Sequence, residues 1–296
     1  MRLRWITGSL ALLVVVVALA MGFGGAGLAT SLGHATPTPP STPSPSDGPT
    51  ASDAPSDAPS GTASPTAAAP TPHVVMALGD SVPSGARCNC RPFPQTYGAL
   101  LSARTGEPVS VDNRAVGGLT TSGLLAQLHT PAFQAAVRRA DIFLVTIGAN
   151  DFSDHHQQVV DGTCEAGDND CVSDELTTMG EHLATALDII RSLRGGQPTT
   201  LLVTGYWNVF QDGDVARRAY GESGLQASRQ LTDRANAVIR SVAGSAGGQY
   251  VDIYQPFQRY GRAITSLLAW DGDHPDAAGH RLIAHALLNA GLPRTG

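Results

Sequence analysis

The feature that most restricts the fold of this chain is an alternation, beginning near residue 73, of short apolar runs with longer amphipathic segments. Short apolar runs bounded by Gly, Pro or Asp are typical of buried strands, whereas apolar side chains spaced by three and four residues are typical of helices. Strands that are apolar throughout and alternate with helices predict a parallel sheet covered on both faces, and therefore an α/β fold. The predicted strands are residues 74–78, 109–111, 142–147, 200–204 and 250–253.

The clearest predicted helix has apolar side chains at helical spacing from Leu176 to Leu193. Ser173 is a favourable N-cap residue and Gly195 is a favourable terminator, so the helix is predicted to lie between them. Two further helices are predicted over residues 225–244 and 275–287 by the same spacing.

The first 72 residues differ in composition from the rest and are predicted to form two segments outside the fold. Residues 1–35 begin with Arg2 and Arg4 before a long apolar run, which predicts a cleaved signal peptide or a retained membrane anchor. Residues 36–72 contain eleven of the chain's 20 prolines and no large apolar side chain, which predicts a disordered linker. Residues 73–296 would then be one exported domain, secreted or tethered to the membrane outside the cell, and we expect a monomer.

The charged residues exclude several classes of protein. All 19 basic residues are arginine, so enzymes that need a lysine for a Schiff base or a phosphate-binding loop are excluded. The net charge is −6 and no basic block is present, so we expect no nucleic-acid partner. His155 and His156 lack a spaced third ligand, so no metal site and no cofactor are expected.

Four short blocks of polar residues and glycines follow the predicted strands. Ligands of parallel sheets bind beyond the carboxyl ends of the strands, so we expect the blocks to meet at one edge of the sheet. Together they supply a hydroxyl, an imidazole with an acid three residues earlier, a side-chain amide and glycine backbone, which are the groups that acyl transfer needs. The blocks are Gly79-Asp80-Ser81, the segment from Asn113 to Gly118, Gly148-Ala149-Asn150-Asp151, and Asp271-Gly272-Asp273-His274-Pro275.

Each group has a predicted role in that chemistry. The hydroxyl of Ser81 is a weak nucleophile that needs a base, and His274 can take its proton. Asp271 can hold the imidazole in the correct tautomer, although Asp273 is close enough in sequence to compete for this role. The oxyanion that forms during the reaction needs donors, which the backbone N–H groups of Ser81 and Gly118 and the amide of Asn150 can supply.

These blocks are similar, in order and in spacing, to the four signature blocks of the GDSL/SGNH hydrolases. The resemblance implies a flavodoxin-like three-layer α/β/α sandwich with a five-stranded parallel sheet. It also implies that Ser81, His274 and Asp271 form a catalytic triad, with Ser81, Gly118 and Asn150 as the oxyanion hole. Val82 stands where the family has the leucine of its name, a hydrophobic exchange that leaves the chemistry untouched.

Aromatic residues make up 5% of the chain, and five of them are predicted to lie near the active edge. They could form an apolar wall for an acyl chain or simply cap the core. The five are Phe152, Tyr206, Trp207, Phe210 and Trp270.

The resulting hypothesis is an exported carboxyl-ester hydrolase of the esterase or lipase type, acting on a small-molecule, lipid or glycan ester. A thioesterase, a phospholipase or a carbohydrate deacetylase could use the same blocks. A binding module without activity is the alternative of another class, although such a module would have no reason to keep a triad.

The four cysteines agree with export to an oxidising compartment. Cys164 and Cys171 enclose a short loop and form the favoured disulfide pair. Cys88 and Cys90 are separated by one residue, which makes a strained bridge and a less certain pair.

Overall fold

The structure, a computed structural model, describes residues 72–164, 170–261 and 263–291. The predicted signal or anchor, the predicted linker up to residue 71 and part of the loop between Cys164 and Cys171 lie outside these residues. Five parallel strands form one sheet in the order β2-β1-β3-β4-β5, which confirms the predicted α/β fold class. The strands are β1 (His73–Gly79), β2 (Val109–Asn113), β3 (Ile142–Thr146), β4 (Thr200–Thr204) and β5 (Gln249–Val251).

The helices connect the strands and cover both faces of the sheet. All three predicted helices are present, as α6, the second half of α7, and α9. The helices are α1 (Ser81–Ser84), α2 (Phe93–Thr105), α3 (Thr121–Leu128), α4 (Pro131–Arg139), α5 (His156–Val160), α6 (Ser173–Arg194), α7 (Gly213–Ser245), α8 (Tyr254–Gln258) and α9 (Ala277–Ala290), with short 3₁₀ helices at Ala149–His155 and Ile264–Leu267.

One predicted helix boundary is wrong, and a second predicted helix is part of a longer one. Ser173 is the first residue of α6 rather than its N-cap, because its hydroxyl donates to Asp170, which also accepts the N–H of Val172. Helix α7 begins at Gly213, well before residue 225, and is kinked at Tyr220 and Gly221. Gly221 has a φ of 71°, a left-handed conformation that interrupts the helix.

The central strands carry the core. Every residue of β3 is buried, and residues 75–79 of β1 are buried as well, because helices cover both faces of the sheet. The apolar side of helix α6 is buried in the same core through Leu176, Met179, Leu183, Leu187 and Ile190. The sheet therefore forms a rigid base, and its carboxyl edge positions the loops that follow β1, β3 and β4.

The structure places both predicted cysteine pairs at disulfide distance. The Cα atoms are 5.3 Å apart in the pair of Cys164 and Cys171 and 5.0 Å apart in the pair of Cys88 and Cys90. Within the described ranges, no helix is long and apolar enough to cross a bilayer.

Candidate active site

The turn from β1 into α1 positions Ser81. Strand β1 ends at Gly79, whose φ of 134° and close contact with β3 leave no room for a side chain. Asp80 then caps α1, because its carboxylate accepts the N–H of Val82 at 2.9 Å. Ser81 is consequently the first residue of a short helix at the carboxyl edge of the sheet.

The turn after β3 positions Asn150. Gly148 has a φ of 130°, and a Cβ there would lie 2.8 Å from the sulfur of Met179. One amide N–H of Asn150 donates to the carbonyl of Leu119 at 3.0 Å. Because an asparagine amide has two N–H groups, the second is free to donate to an oxyanion.

The loop after β2 is tied to the same edge by several hydrogen bonds. The amide of Asn113 donates to the carbonyl of Pro83 at 2.7 Å, and the N–H of Val116 donates to the carbonyl of Gly79 at 2.9 Å. A Cβ on Gly117 would lie 4.0 Å from the Cβ of Ser81, whereas a Cβ on Gly118 would meet nothing within 4 Å. Gly118, the backbone donor predicted from the sequence, therefore has open space where a side chain would stand.

Asp151 has no role in the chemistry predicted from the sequence, yet it ties its own block to the segment that follows Gly118. Its carboxylate accepts the N–H of Thr121 at 3.0 Å and also the hydroxyl of the same residue. Together with the bond from Asn150 to Leu119, this contact holds the turn after β3 against the segment that follows Gly118. The sequence signal was its position directly after Asn150.

The loop before α9 holds His274 against Asp271. The Nδ1 atom of His274 lies 2.7 Å from Oδ2 of Asp271, and Oδ1 of Asp271 accepts the backbone N–H groups of Asp273 and His274 at 3.1 Å each. Burial raises the pKa of Asp271, but these hydrogen bonds outweigh that effect and lower its pKa below the ordinary value. The nearest carboxylate oxygen of Asp273 is 3.8 Å from Nδ1, and its side chain is 44% exposed. The geometry thus favours Asp271 as the partner of His274.

Ser81, Asn150 and His274 line one cavity at the carboxyl edge of the sheet. It is small, with a volume of about 30 Å³. The cavity is therefore suited to a small group. Its wall is completed mainly by Tyr206, Trp207, Asn208, Val209 and Asp273.

The five predicted aromatic residues do not form one wall. Tyr206 and Trp207 line the cavity, and the Trp207 ring stacks on Phe257 at 4.5 Å. Phe152 and Phe210 are buried side chains outside the residues that line the cavity, which agrees with the alternative that they cap the core. Trp270 is instead 76% exposed on the surface beside the site.

Asp80 and Tyr206 form a buried pair that sequence reasoning did not anticipate. The hydroxyl of Tyr206 donates to the carboxylate of Asp80, and Asn236 holds the backbone of Tyr206 through two hydrogen bonds of 2.8 and 2.9 Å. Burial raises the pKa of Asp80 to about 7. The pair joins the loop after β4 to the turn that carries Ser81.

The structure is a parallel three-layer sandwich in which a serine, an asparagine amide and a histidine paired with an acid surround one cavity. These features define the class of the protein as a serine ester hydrolase. Residues 77–282 match the model of the GDSL-like Lipase/Acylhydrolase family, and the chain belongs to that family. This result confirms the resemblance seen in the four sequence blocks.

Known proteins similar to this chain include enzymes that act on esters. The spore germination lipase LipC of Bacillus licheniformis is 25% identical over 222 residues, which cover 74% of this chain and 96% of that protein. The lipase Lip_vut3 from a goat rumen metagenome has a TM-score of 0.62 at 20% identity, covering 75% of this chain and 99% of that one. The acetylxylan esterase Axe2 from Geobacillus stearothermophilus has a TM-score of 0.54 at 18% identity, covering 76% and 97%. At these identities the two structures support the fold alone.

Proposed function

We propose that the protein hydrolyses short-chain carboxylic esters through an acyl-enzyme on Ser81. The observation that carries the proposal is that Ser81, Asn150 and His274 line the same cavity while Asp271 lies 2.7 Å from Nδ1 of His274. These are the nucleophile, the oxyanion donor, the base and the orienting acid of acyl transfer.

In the proposed mechanism, the carboxylate of Asp271 accepts a hydrogen bond from Nδ1–H of His274. Nε2 of His274 therefore carries a lone pair and takes the proton of Ser81 as its oxygen attacks the ester carbonyl. The tetrahedral intermediate collapses when His274 returns this proton to the leaving alcohol. A water molecule, activated by the same imidazole, then attacks the acyl-enzyme and releases the acid.

The oxyanion of each tetrahedral intermediate is proposed to bind the free amide N–H of Asn150 and the backbone N–H groups of Ser81 and Gly118. The bond from Asn150 to Leu119 supports this role, because it fixes the amide before substrate binds. Donors that are already oriented stabilise the developing charge without a cost of reorganisation during the reaction.

The size of the cavity supports a short acyl group. A small cavity suits an acetyl group, whereas a long fatty acyl chain would need an apolar channel. The names of the similar lipases and of the acetylxylan esterase support carboxylic esters as the substrate class.

A series of p-nitrophenyl esters tests the proposed function. We expect kcat/KM to be highest for the acetate and to fall by about tenfold or more by the octanoate, because the longer chain cannot enter the cavity. We also expect a fluorophosphonate reagent to label the enzyme at one serine. If the protein neither labels nor hydrolyses any ester of the series, the proposal is wrong.

The identity of the triad acid can be tested by comparing two isosteric variants. Asp271→Asn should lower kcat by about 10³-fold or more, because the neutral amide stabilises neither the correct tautomer nor the imidazolium. Asp273→Asn is the matched control in the same loop; with p-nitrophenyl acetate, whose leaving group is not a sugar, it should change kcat by less than about tenfold. Equal losses in the two variants, or a larger loss for Asp273→Asn, would exclude Asp271 as the triad acid.

Export is part of the same proposal. The basic and apolar sequence of residues 1–35 supports a targeting segment, and the two cysteine pairs at disulfide distance support an oxidising compartment. Residues 36–72 would hold the catalytic domain, residues 73–296, away from the N-terminus as an extended linker.

A further inference from the structure

Two large apolar side chains are exposed on loops of the candidate active site. In the described part of the chain, only Val116, Tyr260 and Trp270 are large apolar residues with exposed side chains. Val116 is bonded to Gly79, two residues before Ser81, and Trp270 directly precedes Asp271. An indole that is 76% exposed keeps a large apolar surface in water, which suits a ligand contact better than a stabilising role.

Trp270 and His274 belong to one closed loop. A β-bridge joins Leu268 to Pro275, and the N–H of Ala269 donates to the carbonyl of His274 at 2.7 Å. These bonds hold Trp270 in the same loop as the imidazole that would protonate the leaving alcohol. Because the cavity is small, a large alcohol part of an ester bound at Ser81 would extend beyond it onto the neighbouring surface.

Arg87 completes the surface beside Trp270. Its guanidinium carbon is 5.6 Å from the centroid of the indole, and its Nε is 3.9 Å from the carboxylate of Asp271. Arg87 has a φ of 60°, and Asn89, between Cys88 and Cys90, has a φ of 46°. Non-glycine residues adopt this left-handed backbone at a cost, and such residues are concentrated at functional sites.

We propose that Trp270 and Arg87 form a platform that binds the alcohol part of the ester, and that this alcohol is a carbohydrate. The inference rests on the proposed function, because it places the leaving group of that reaction. A sugar ring has a face of C–H groups, which can lie on the exposed indole. Its rim of hydroxyls can accept from the guanidinium of Arg87 and donate to the exposed carboxylate of Asp273.

The surroundings of the platform favour a sugar over a lipid surface. A protein that docks on lipid presents a contiguous apolar patch. Here the exposed indole lies beside Arg87, whose side chain is 60% exposed, and the same loop carries the acidic residues Asp271 and Asp273. The platform therefore combines one aromatic face with charged groups that form hydrogen bonds. A sugar ring matches this combination, because its face is apolar and its rim carries hydroxyls.

The test compares two acetyl esters that differ only in the alcohol, using the full chain. Partially acetylated cello-oligosaccharides supply a sugar alcohol, and ethyl acetate supplies an alcohol too small to reach the platform. Trp270→Ala should raise KM for the oligosaccharide by about tenfold, which corresponds to about 1.4 kcal/mol of binding. It should leave kcat/KM for ethyl acetate within about twofold, and Trp270→Phe should restore most of the oligosaccharide activity.

Two controls separate the platform from general effects. Tyr260→Ala removes another exposed aromatic side chain, one outside the cavity wall, and should leave both substrates unaffected. Calorimetry on Ser81→Ala measures oligosaccharide binding without hydrolysis, and adding Trp270→Ala to this variant should abolish the binding signal.

Several outcomes would overturn the platform while leaving the proposed function intact. One is an equal loss on both esters, which would make Trp270 a positioning residue for the triad. Another is the combination of two results: the wild-type enzyme hydrolyses ethyl acetate, but its Ser81→Ala variant binds no oligosaccharide. A third is a loss in Trp270→Ala that occurs only on phospholipid vesicles, which would indicate a lipid surface. Absence of activity on every ester, with oligosaccharide binding retained, would instead refute the proposed function alone.

Discussion

Ser81→Ala is expected to lower kcat for p-nitrophenyl acetate by about 10⁴-fold or more and to abolish fluorophosphonate labelling. The methyl side chain cannot attack a carbonyl, so the acyl-enzyme does not form. The residual rate would come from the oxyanion donors and from substrate binding, which do not depend on the hydroxyl. KM should change little, because the Ser81 hydroxyl acts on the transition state rather than on the bound substrate.

Ser84 offers a matched control for this variant. It lies in the same short helix, and its hydroxyl donates to the carbonyl of Ser81 at 2.8 Å, so it contacts the nucleophile's backbone without acting on substrate. Ser84→Ala should retain kcat within about tenfold and should still be labelled. Labelling of Ser81→Ala at the wild-type rate would mean that the nucleophile is another residue.

Gly79→Ala is expected to reduce the free energy of unfolding by about 4 kcal/mol or more. A Cβ at this position would lie 1.8 Å from the carbonyl oxygen of Thr146, which belongs to the backbone of the neighbouring central strand. Backbone in the middle of a sheet cannot move aside as a flexible side chain can. The variant must therefore separate β1 from β3 or distort the turn that carries Ser81.

Gly106→Ala separates this contact from the cost of the backbone conformation. Gly106 has a φ of 76°, and a Cβ there would meet nothing within 4 Å, so only the left-handed conformation is penalised. Its free energy of unfolding should fall by about 1 kcal/mol. Urea unfolding of the two variants measures both values, and similar losses at the two positions would contradict the steric explanation.

The strand predictions succeeded where the apolar run nearly coincides with the strand, and they failed where the apolar run continues further beyond the end of the strand. The run at residues 142–147 corresponds to β3, because every residue of that strand is buried between helices. The run at residues 250–253 extends past β5, which ends at Val251. Ile253 is apolar because it is buried in the core, although the ladder has already ended. A sequence pattern records burial and not hydrogen bonding, so the ends of strands are predicted less well than their centres.

The four blocks were predictable because the residues that bind ligands in a parallel sheet lie beyond the carboxyl ends of its strands. Asp271 and His274 are three residues apart, and the turn between them brings their side chains together within one loop. The pairing of Asp80 with Tyr206 was not predictable in this way. These residues are separated by β2, β3 and β4 along the chain, and only the folding of β4 beside β3 allows their loops to meet.

The sequence by itself determined the layered α/β architecture and the groups available for acyl transfer, because burial patterns and strand-end blocks are local properties of the chain. Only the tertiary structure decided which side chains face the cavity, since the direction of a side chain in a loop depends on what packs against it. It turned Phe152 and Phe210 into the core and left Trp270 exposed. It also brought Arg87 to the indole of Trp270, a contact between segments that are distant in the chain and near only after folding.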